Sequence, residues 1–256
     1  MAYRGDFLIG TFLRFLPVLT TVLLWTAVYV GKTDGDTIAG FDLHQMIAYL
    51  LLIHISRMFS SMPGLAGGIA RDIRDGSLKK YLVQPLDMIG YLLAYRVAHK
   101  TAYIVTSALP YALLFFLARE HFGSWGGWQA MPAYALSLLF AFLIGFFFEA
   151  MIGLAGFWLL EVTSIIWIIT TLNYFISGQM FPLDVLREHY PVVHAILGWL
   201  PFKYIAYFPA MVFLGKISGP QLLRELLIET AWVVMLILLT RWLYSAGLRR
   251  YSAFGG

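Results

Sequence analysis

The chain alternates between long, continuously apolar runs and shorter polar connections. Six runs stand out, each close to the ~20 residues that a helix needs to cross a ~30 Å hydrocarbon core. Their continuous apolarity, without alternation, favours helices over strands. The pattern therefore predicts an all-α membrane protein with six transmembrane helices, at 16–31, 44–62, 97–118, 132–154, 163–181 and 221–243.

Composition supports lipid as the main solvent of this chain. Hydrophobic residues make up 60% of it and charged residues only 12%, whereas a soluble domain carries about 25% charge. The chain has no cysteine, which excludes disulfides, thiolate metal sites and a cysteine nucleophile.

The distribution of Lys and Arg predicts the orientation. With the N-terminus in the cytoplasm, twelve of them fall on the inner side and six on the outer side. This is a positive-inside bias, and an even number of spans places both termini inside. We therefore expect a multi-pass protein with cytoplasmic termini.

The segment 1–15 precedes the first apolar run and is itself amphipathic. On a helix, Arg4, Thr11 and Arg14 share one face, and apolar side chains gather opposite. This pattern predicts an interfacial helix in the plane of the membrane, with its arginines near the headgroups. A basic N-terminus without a fixed structure is the alternative.

The inner connection 63–96 carries a charged block punctuated by helix breakers. The second span is expected to end at Gly64, Gly67 and Gly68. A short helix over 69–74 should follow and end at Gly76. Ser77 should then cap another short helix over 78–83. This punctuation predicts a shaped docking surface for a soluble partner. The alternative is a solvated loop that merely obeys the positive-inside rule.

The outer connection 182–219 is divided by prolines into pieces too short to span a membrane. Two of these pieces, 192–200 and 202–214, are apolar and aromatic. They predict a re-entrant helical hairpin that dips into the outer leaflet beside the fifth span. Two helices lying on the surface are the alternative.

Three stretches carry a resemblance to a known family. They are DIRDGSLKKYLVQP at 72–85, the segment from SGQMFPLDVL to LPFKYIAYFPAMVFLGKISG at 177–219, and GLRRYSAFGG at 247–256. With the order of the spans, they make residues 1–256 resemble a single ABC-2 type transmembrane domain. Such domains are the permease subunits of ATP-binding-cassette (ABC) transporters, here of a bacterial subgroup without an assigned cargo.

The resemblance implies a mechanism and a set of partners. Two permease chains, identical or related, would form the pathway in the bacterial inner membrane, and separate ABC ATPase subunits would dock on the inner connection. The turn 155–162 would supply a second, smaller contact. The residues implied in coupling to the ATPase are Arg71, Asp72, Arg74, Asp75, Gly76, Lys79 and Lys80.

No G-x-x-x-x-G-K-[ST] phosphate loop occurs in the sequence. We therefore expect no ATPase activity and no cofactor on this chain, with ATP and Mg bound by the partner. Membrane lipid is an expected partner and nucleic acid is not.

Polar residues within or just beyond the spans are candidates for the pathway or its gate: Glu149 and Asn173 within spans, and Glu161 just beyond the fourth. A carboxylate inside a span is costly unless it is paired or hydrated, so Glu149 either lines the inner mouth or pairs with an arginine such as Arg57 or Arg96.

The aromatic, charge-poor spans favour a hydrophobic or amphipathic cargo. Export is favoured over import, because no docking element for a soluble binding protein is recognisable. Two other classes remain open, a non-transporting membrane scaffold and an intramembrane enzyme. Against the enzyme, His44 and His54 lie ten residues apart, about 15 Å along a helix, too far to share a metal ion.

Overall fold

The described part of the chain consists of helices and turns. The computed structural model describes residues 2–33, 36–84, 86–123, 125–159 and 161–253, and their side chains except at 2–12, 14, 15, 252 and 253. Within these ranges the only strand-like pairing is an isolated bridge between Ile38 and Phe41. The all-α class is thus confirmed. The helices are α1 Ala2–Val28, α2 Leu43–Ser60, α3 Leu65–Arg74, α4 Lys79–Leu82, α5 Met88–Leu117, α6 Met131–Leu154, α7 Thr163–Ile176, α8 Val185–His189, α9 Pro191–Trp199, α10 Tyr207–Phe213 and α11 Gly219–Ala253.

Three helical segments are long and apolar enough to cross a membrane: Leu43–Arg74, Met88–Leu117 and Trp128–Phe157. Two shorter apolar helices, Leu16–Val28 and Thr163–Ile176, match the first and fifth predicted runs. The sixth run lies within α11. The count of six spans therefore stays a prediction.

The predicted interfacial segment and the first predicted span belong to one helix. The helix α1 runs from Ala2 to Val28 with Pro17 inside it, close to the predicted boundary. The side chains of Arg4, Thr11 and Arg14, on which the interfacial prediction depends, lie outside the described ones. The interfacial placement stays a prediction.

Helix α6 forms the centre of the fold. It packs against α2, α3, α10 and α11, and Phe146, Ala150 and Leu154 on it are fully buried. Two glycines allow close approach: a Cβ on Gly145 would lie 2.1 Å from the Ser60 carbonyl oxygen, and one on Gly153 2.8 Å from that of Ala66. Small residues at such crossings are typical of membrane helix packing.

The outer connection folds into more helices than the two predicted. The short α8 comes first, α9 and α10 correspond to the predicted pair, and a 3-10 turn, Pro201–Ile205, joins them. Phe208 and Val212 of α10 are buried in the core, whereas Ile196 and Trp199 of α9 are exposed. The re-entrant placement of this pair stays a prediction.

Candidate functional site

The inner connection forms a compact elbow, which we define as residues 64–84, with one apolar and one charged face. Its first helix, α3, buries Leu65, Ile69 and Ile73 against the body of the protein. It begins four residues earlier than predicted, after Gly64 in a left-handed conformation (φ 75°). The expectation that Gly67 and Gly68 help to end the second span is wrong, because α2 ends at Ser60 and both glycines lie inside α3.

The turn between α3 and α4 depends on Gly76. Its φ of 74° is a backbone conformation that glycine adopts without steric cost, and it ends a helix as predicted. The Leu78 amide then donates to the Asp72 carbonyl oxygen at 2.9 Å, and the Leu78 side chain is fully buried. Helix α4 begins at Lys79 without a side-chain cap, so the predicted capping role of Ser77 is wrong.

The seven residues implied in coupling are brought together on the outside of this elbow. Lys80 Nζ lies 2.8 Å from Asp72 Oδ2, and hydrogen bonding to that carboxylate raises the pKa of Lys80. Arg71 and Lys79 are exposed, and no ion pair among the described residues includes either of them. The elbow therefore presents two cationic side chains free for an acidic partner surface.

An ion pair joins the end of the inner connection to the last helix. Asp87 caps α5 by accepting from the Gly90 amide at 2.8 Å, and its other oxygen accepts from Arg241 of α11 at 2.5 Å. The Arg241 guanidinium lowers the pKa of Asp87 below its ordinary value. Tyr251, further along α11, lies against the elbow, since a Cβ on Gly76 would be 3.7 Å from its hydroxyl.

Beside the elbow, a cavity of about 450 Å³ collects two of the three predicted pathway residues. Glu149 and Asn173 line it together with Arg57. The Asn173 Oδ1 atom is buried and has no hydrogen-bond partner among the described residues. Glu149 interacts with the Ala66 backbone amide and with the charge of Arg96. It forms no ion pair within the described part of the chain, so the direct pairing with Arg57 or Arg96 is not formed.

A comparison with protein families finds one match of nearly full length. The family model described as ABC-2 family transporter protein matches residues 15–255. The chain belongs to this family. A search of curated proteins finds no match.

Membership makes the chain an ABC-2 type permease, a multi-pass membrane component of an ABC transporter. Permeases of this family are generally not catalytic themselves. The family match is to the whole domain and assigns no role to individual residues.

Glu161 of the permease lies outside the cavity that holds Glu149 and Asn173. Its carboxylate accepts from the Thr163 amide at 2.7 Å, at the start of α7. Hydrogen bonds from the Thr163 hydroxyl and amide lower the pKa of Glu161. The positive charge of Arg74 lowers this pKa more weakly. Glu161 therefore belongs to the elbow end of the permease, within the turn 155–162 predicted as a second docking contact.

Two contacts of the permease were missed by sequence reasoning. One is the pair of Asp87 and Arg241, which are far apart in sequence and stand in different predicted elements. The other joins His44 to His121, whose Nδ1 atoms lie 2.7 Å apart. No signal in a single sequence relates such distant positions, since neither pair follows a helical spacing.

Proposed function

We propose that this chain is a permease subunit of an ABC exporter in a bacterial inner membrane, paired with a second permease and driven by separate ATPase subunits. The observation that carries the proposal is the elbow. Its apolar face is buried against the protein and its basic face is exposed. This arrangement suits a rigid element to which a soluble partner binds.

The packing of the elbow suggests how force would enter the membrane domain. Helix α3 lies directly against α6 at Gly153, where a Cβ would come 2.8 Å from both the Ala66 carbonyl oxygen and the Ile69 Cβ. A displacement of α3 by the ATPase would therefore shift α6 as a rigid body, because packed helices transmit small movements. The Asp87–Arg241 pair would pass the same displacement to α11.

Helix α7 supports a second permease chain as partner. None of its residues is buried, and Trp167, Ile168 and Leu172 are all more than half exposed. Lipid covers such a surface equally well, as on α5, and what favours a second permease at α7 is the polar cavity beside it. The cavity with Glu149 and Asn173 opens beside this helix, and we place the pathway there, for a hydrophobic or amphipathic cargo.

Orientation follows from the same contacts. Tyr251 of α11 lies at the elbow, and Pro17 of α1 lies beside Arg57 and Met58 at the end of α2. Both terminal helices thus approach the elbow end, which supports cytoplasmic termini if the elbow meets a cytoplasmic ATPase.

The proposal is tested by purifying the tagged permease from its native membrane and identifying the attached chains by mass spectrometry. We expect a nucleotide-binding subunit and a second permease. The double substitution Arg71→Glu with Lys79→Glu should release the ATPase, because it reverses the two exposed charges without breaking an ion pair. The matched control reverses two exposed outer charges, Arg119→Glu with Arg187→Glu, and should keep the ATPase.

Two results would contradict the proposal. One is a stable wild-type complex without any nucleotide-binding chain, which would favour a scaffold or an enzyme. The other is full ATPase attachment and cargo export by a correctly inserted Arg71→Glu, Lys79→Glu permease.

A further inference from the structure

A second cavity, of about 310 Å³, lies between α1, α2 and α5. It is distinct from the cavity that holds Glu149 and Asn173, although Arg57, Ser61 and Pro63 border both. Among the described residues, its wall contains two cationic side chains, Arg57 and Lys100, two histidines and no acidic side chain. The residues that define it here are Pro17, His54, Arg57, His99, Lys100 and Tyr111.

Lys100 is the unusual member of this wall. Only 8% of it is exposed, and its Nζ donates to the Met58 carbonyl oxygen at 2.5 Å. No ion pair of the described residues includes Lys100 or Arg57. A buried ammonium normally needs an anion, and a carbonyl oxygen supplies one hydrogen bond but no opposite charge.

The depth of this cavity matches a lipid headgroup. Arg57 lies in the last turn of α2, and Ser61 and Pro63, which also border the cavity, lead directly into the elbow. The cavity is therefore at the elbow end of the spans. Helix α5, which forms one wall, is only 11% buried over its apolar window, so the space between α1 and α5 opens toward lipid.

Apolar surface continues from the mouth of the cavity along both helices. Leu16 of α1 is 47% exposed, and Val105 and Leu109 of α5 are 70% and 81% exposed. Acyl chains can therefore lie along α1 and α5 while a headgroup occupies the basic cavity. Basic pockets between membrane helices are typical sites for acidic headgroups.

We propose that this cavity binds the phosphate of an anionic phospholipid, with Lys100 and Arg57 as its cationic ligands. The inference rests on the proposed function only in naming the leaflet as the inner one; the binding itself requires neither ATPase nor cargo. The phosphate of the bound lipid supplies the missing anion for Lys100. Because the cavity is lined by α1, α2 and α5, the lipid also links these three helices.

The test uses the purified full-length permease in mild detergent, with binding followed by native mass spectrometry and by thermal shift. Phosphatidylglycerol is titrated against phosphatidylcholine, and inorganic phosphate is titrated separately. We expect a saturable phosphatidylglycerol adduct and a rise in melting temperature that phosphatidylcholine does not give. Arg57→Gln and Lys100→Gln should each weaken the affinity roughly fivefold, as expected for one cation near a membrane surface.

The matched control is Arg119→Gln, which removes the same charge just beyond the opposite end of α5 and should leave the affinity unchanged. If Lys100→Gln does not elute as a monodisperse species, Arg57→Gln alone decides. Equal phosphatidylglycerol affinity in the wild type and Arg57→Gln would overturn the proposal.

Two further outcomes would also overturn it in favour of another anion. Saturable binding of inorganic phosphate without phosphatidylglycerol binding would indicate a free-anion site. The variants could also self-associate more weakly than the wild type in phosphatidylcholine alone, while phosphatidylglycerol has no effect on either. That result would indicate that an acidic side chain of a second permease chain occupies the cavity. Because the assay contains no ATPase, either outcome leaves the proposed coupling role untouched.

Discussion

Glu225 and Glu229 lie one helical turn apart on α11 and have opposite surroundings. Glu225 is bonded to Lys203 Nζ at 2.7 Å and to the Tyr204 hydroxyl at 2.8 Å. Glu229 is fully buried, and neither of its carboxylate oxygens has a hydrogen-bond partner among the described residues. Lys203 already pairs with Glu225, so its one ammonium group cannot neutralise both acids. The two positions should therefore respond oppositely to substitution.

At Glu229, replacement by leucine should stabilise the permease. Burying an unsatisfied polar group costs about 1–3 kcal/mol, and leucine of similar volume removes that cost. For a chain of this size the gain corresponds to roughly 2–10 °C in melting temperature. Thermal unfolding in detergent, followed by tryptophan fluorescence, measures it. A lower melting temperature for Glu229→Leu would show that a ligand or water network satisfies this carboxylate.

At Glu225, replacement by glutamine should destabilise the permease. It leaves the buried Lys203 ammonium without its counter-charge, and breaking a buried pair from one side costs about 3–5 kcal/mol. The same melting experiment should show a decrease larger than the gain at Glu229. The reference variant is Arg224→Gln, which alters an arginine that is 71% exposed and 3.7 Å from the same carboxylate. It should change the melting temperature little, and a change equal to that of Glu225→Gln would contradict the account.

At the scale of elements, the crossing of α2 over α6 depends on Gly145. An alanine Cβ there would lie 2.1 Å from the Ser60 carbonyl oxygen, and backbone cannot move aside as a side chain can. Gly145→Ala should therefore cost more than the ~1–3 kcal/mol typical of overpacking and lower the yield of folded permease. Size-exclusion chromatography and thermal unfolding measure both effects.

Gly68→Ala is the matched comparison, since nothing lies within 4 Å of a Cβ there. It sits inside α3, where alanine is favoured over glycine by about 0.5–1 kcal/mol. Equal stability of the two variants would mean that α2 and α6 do not cross as closely as the structure shows.

Elements governed by local chemistry were predictable from the sequence. The apolar runs located the long helices because length and apolarity alone decide whether a helix can span a membrane, and Gly76 located the end of α3. Apolarity did not tell lipid-facing from protein-facing helices: α10 is buried and α9 exposed, yet both read as short apolar pieces. The merging of segment 1–15 with the first run into α1 was likewise missed, because the change from an amphipathic to a continuously apolar pattern does not interrupt the helix.

The candidate site was predictable only in part for the same reason. The seven elbow residues are close in sequence, so their grouping follows from local turns. Glu149 and Asn173 meet Arg57 across three helices, and Glu161 turns instead toward the start of α7. Such placements depend on how the helices pack against each other. No fixed spacing between residues in a single sequence predicts this packing.

At the scale of the whole molecule, the inner connection contacts two long helices that lie far from it in sequence, α6 and α11. The elbow contacts α6 through α3, and Asp87, just beyond the elbow at the start of α5, is paired with Arg241 of α11. The two side chains of that pair are 44% and 47% exposed, so the pair should contribute only about 0–1 kcal/mol to stability. Its contribution is present above the ordinary aspartate pKa and is lost as the pH falls through the lowered pKa of folded Asp87. The pair is therefore intact at neutral pH, and we propose that it serves transmission rather than stability.

Asp87→Asn tests that role, because asparagine still caps α5 as well as aspartate does while losing the charge that Arg241 binds. In the purified complex reconstituted into liposomes, we expect the ATPase to stay attached and the melting temperature to change little, but cargo-dependent ATPase stimulation to fall several-fold. Arg241→Gln should reproduce the loss. The double variant should be no worse than either single one, because a broken pair can be broken only once. If the two losses instead multiply, Asp87 and Arg241 act independently, and their ion pair is not the connection that carries force to α11.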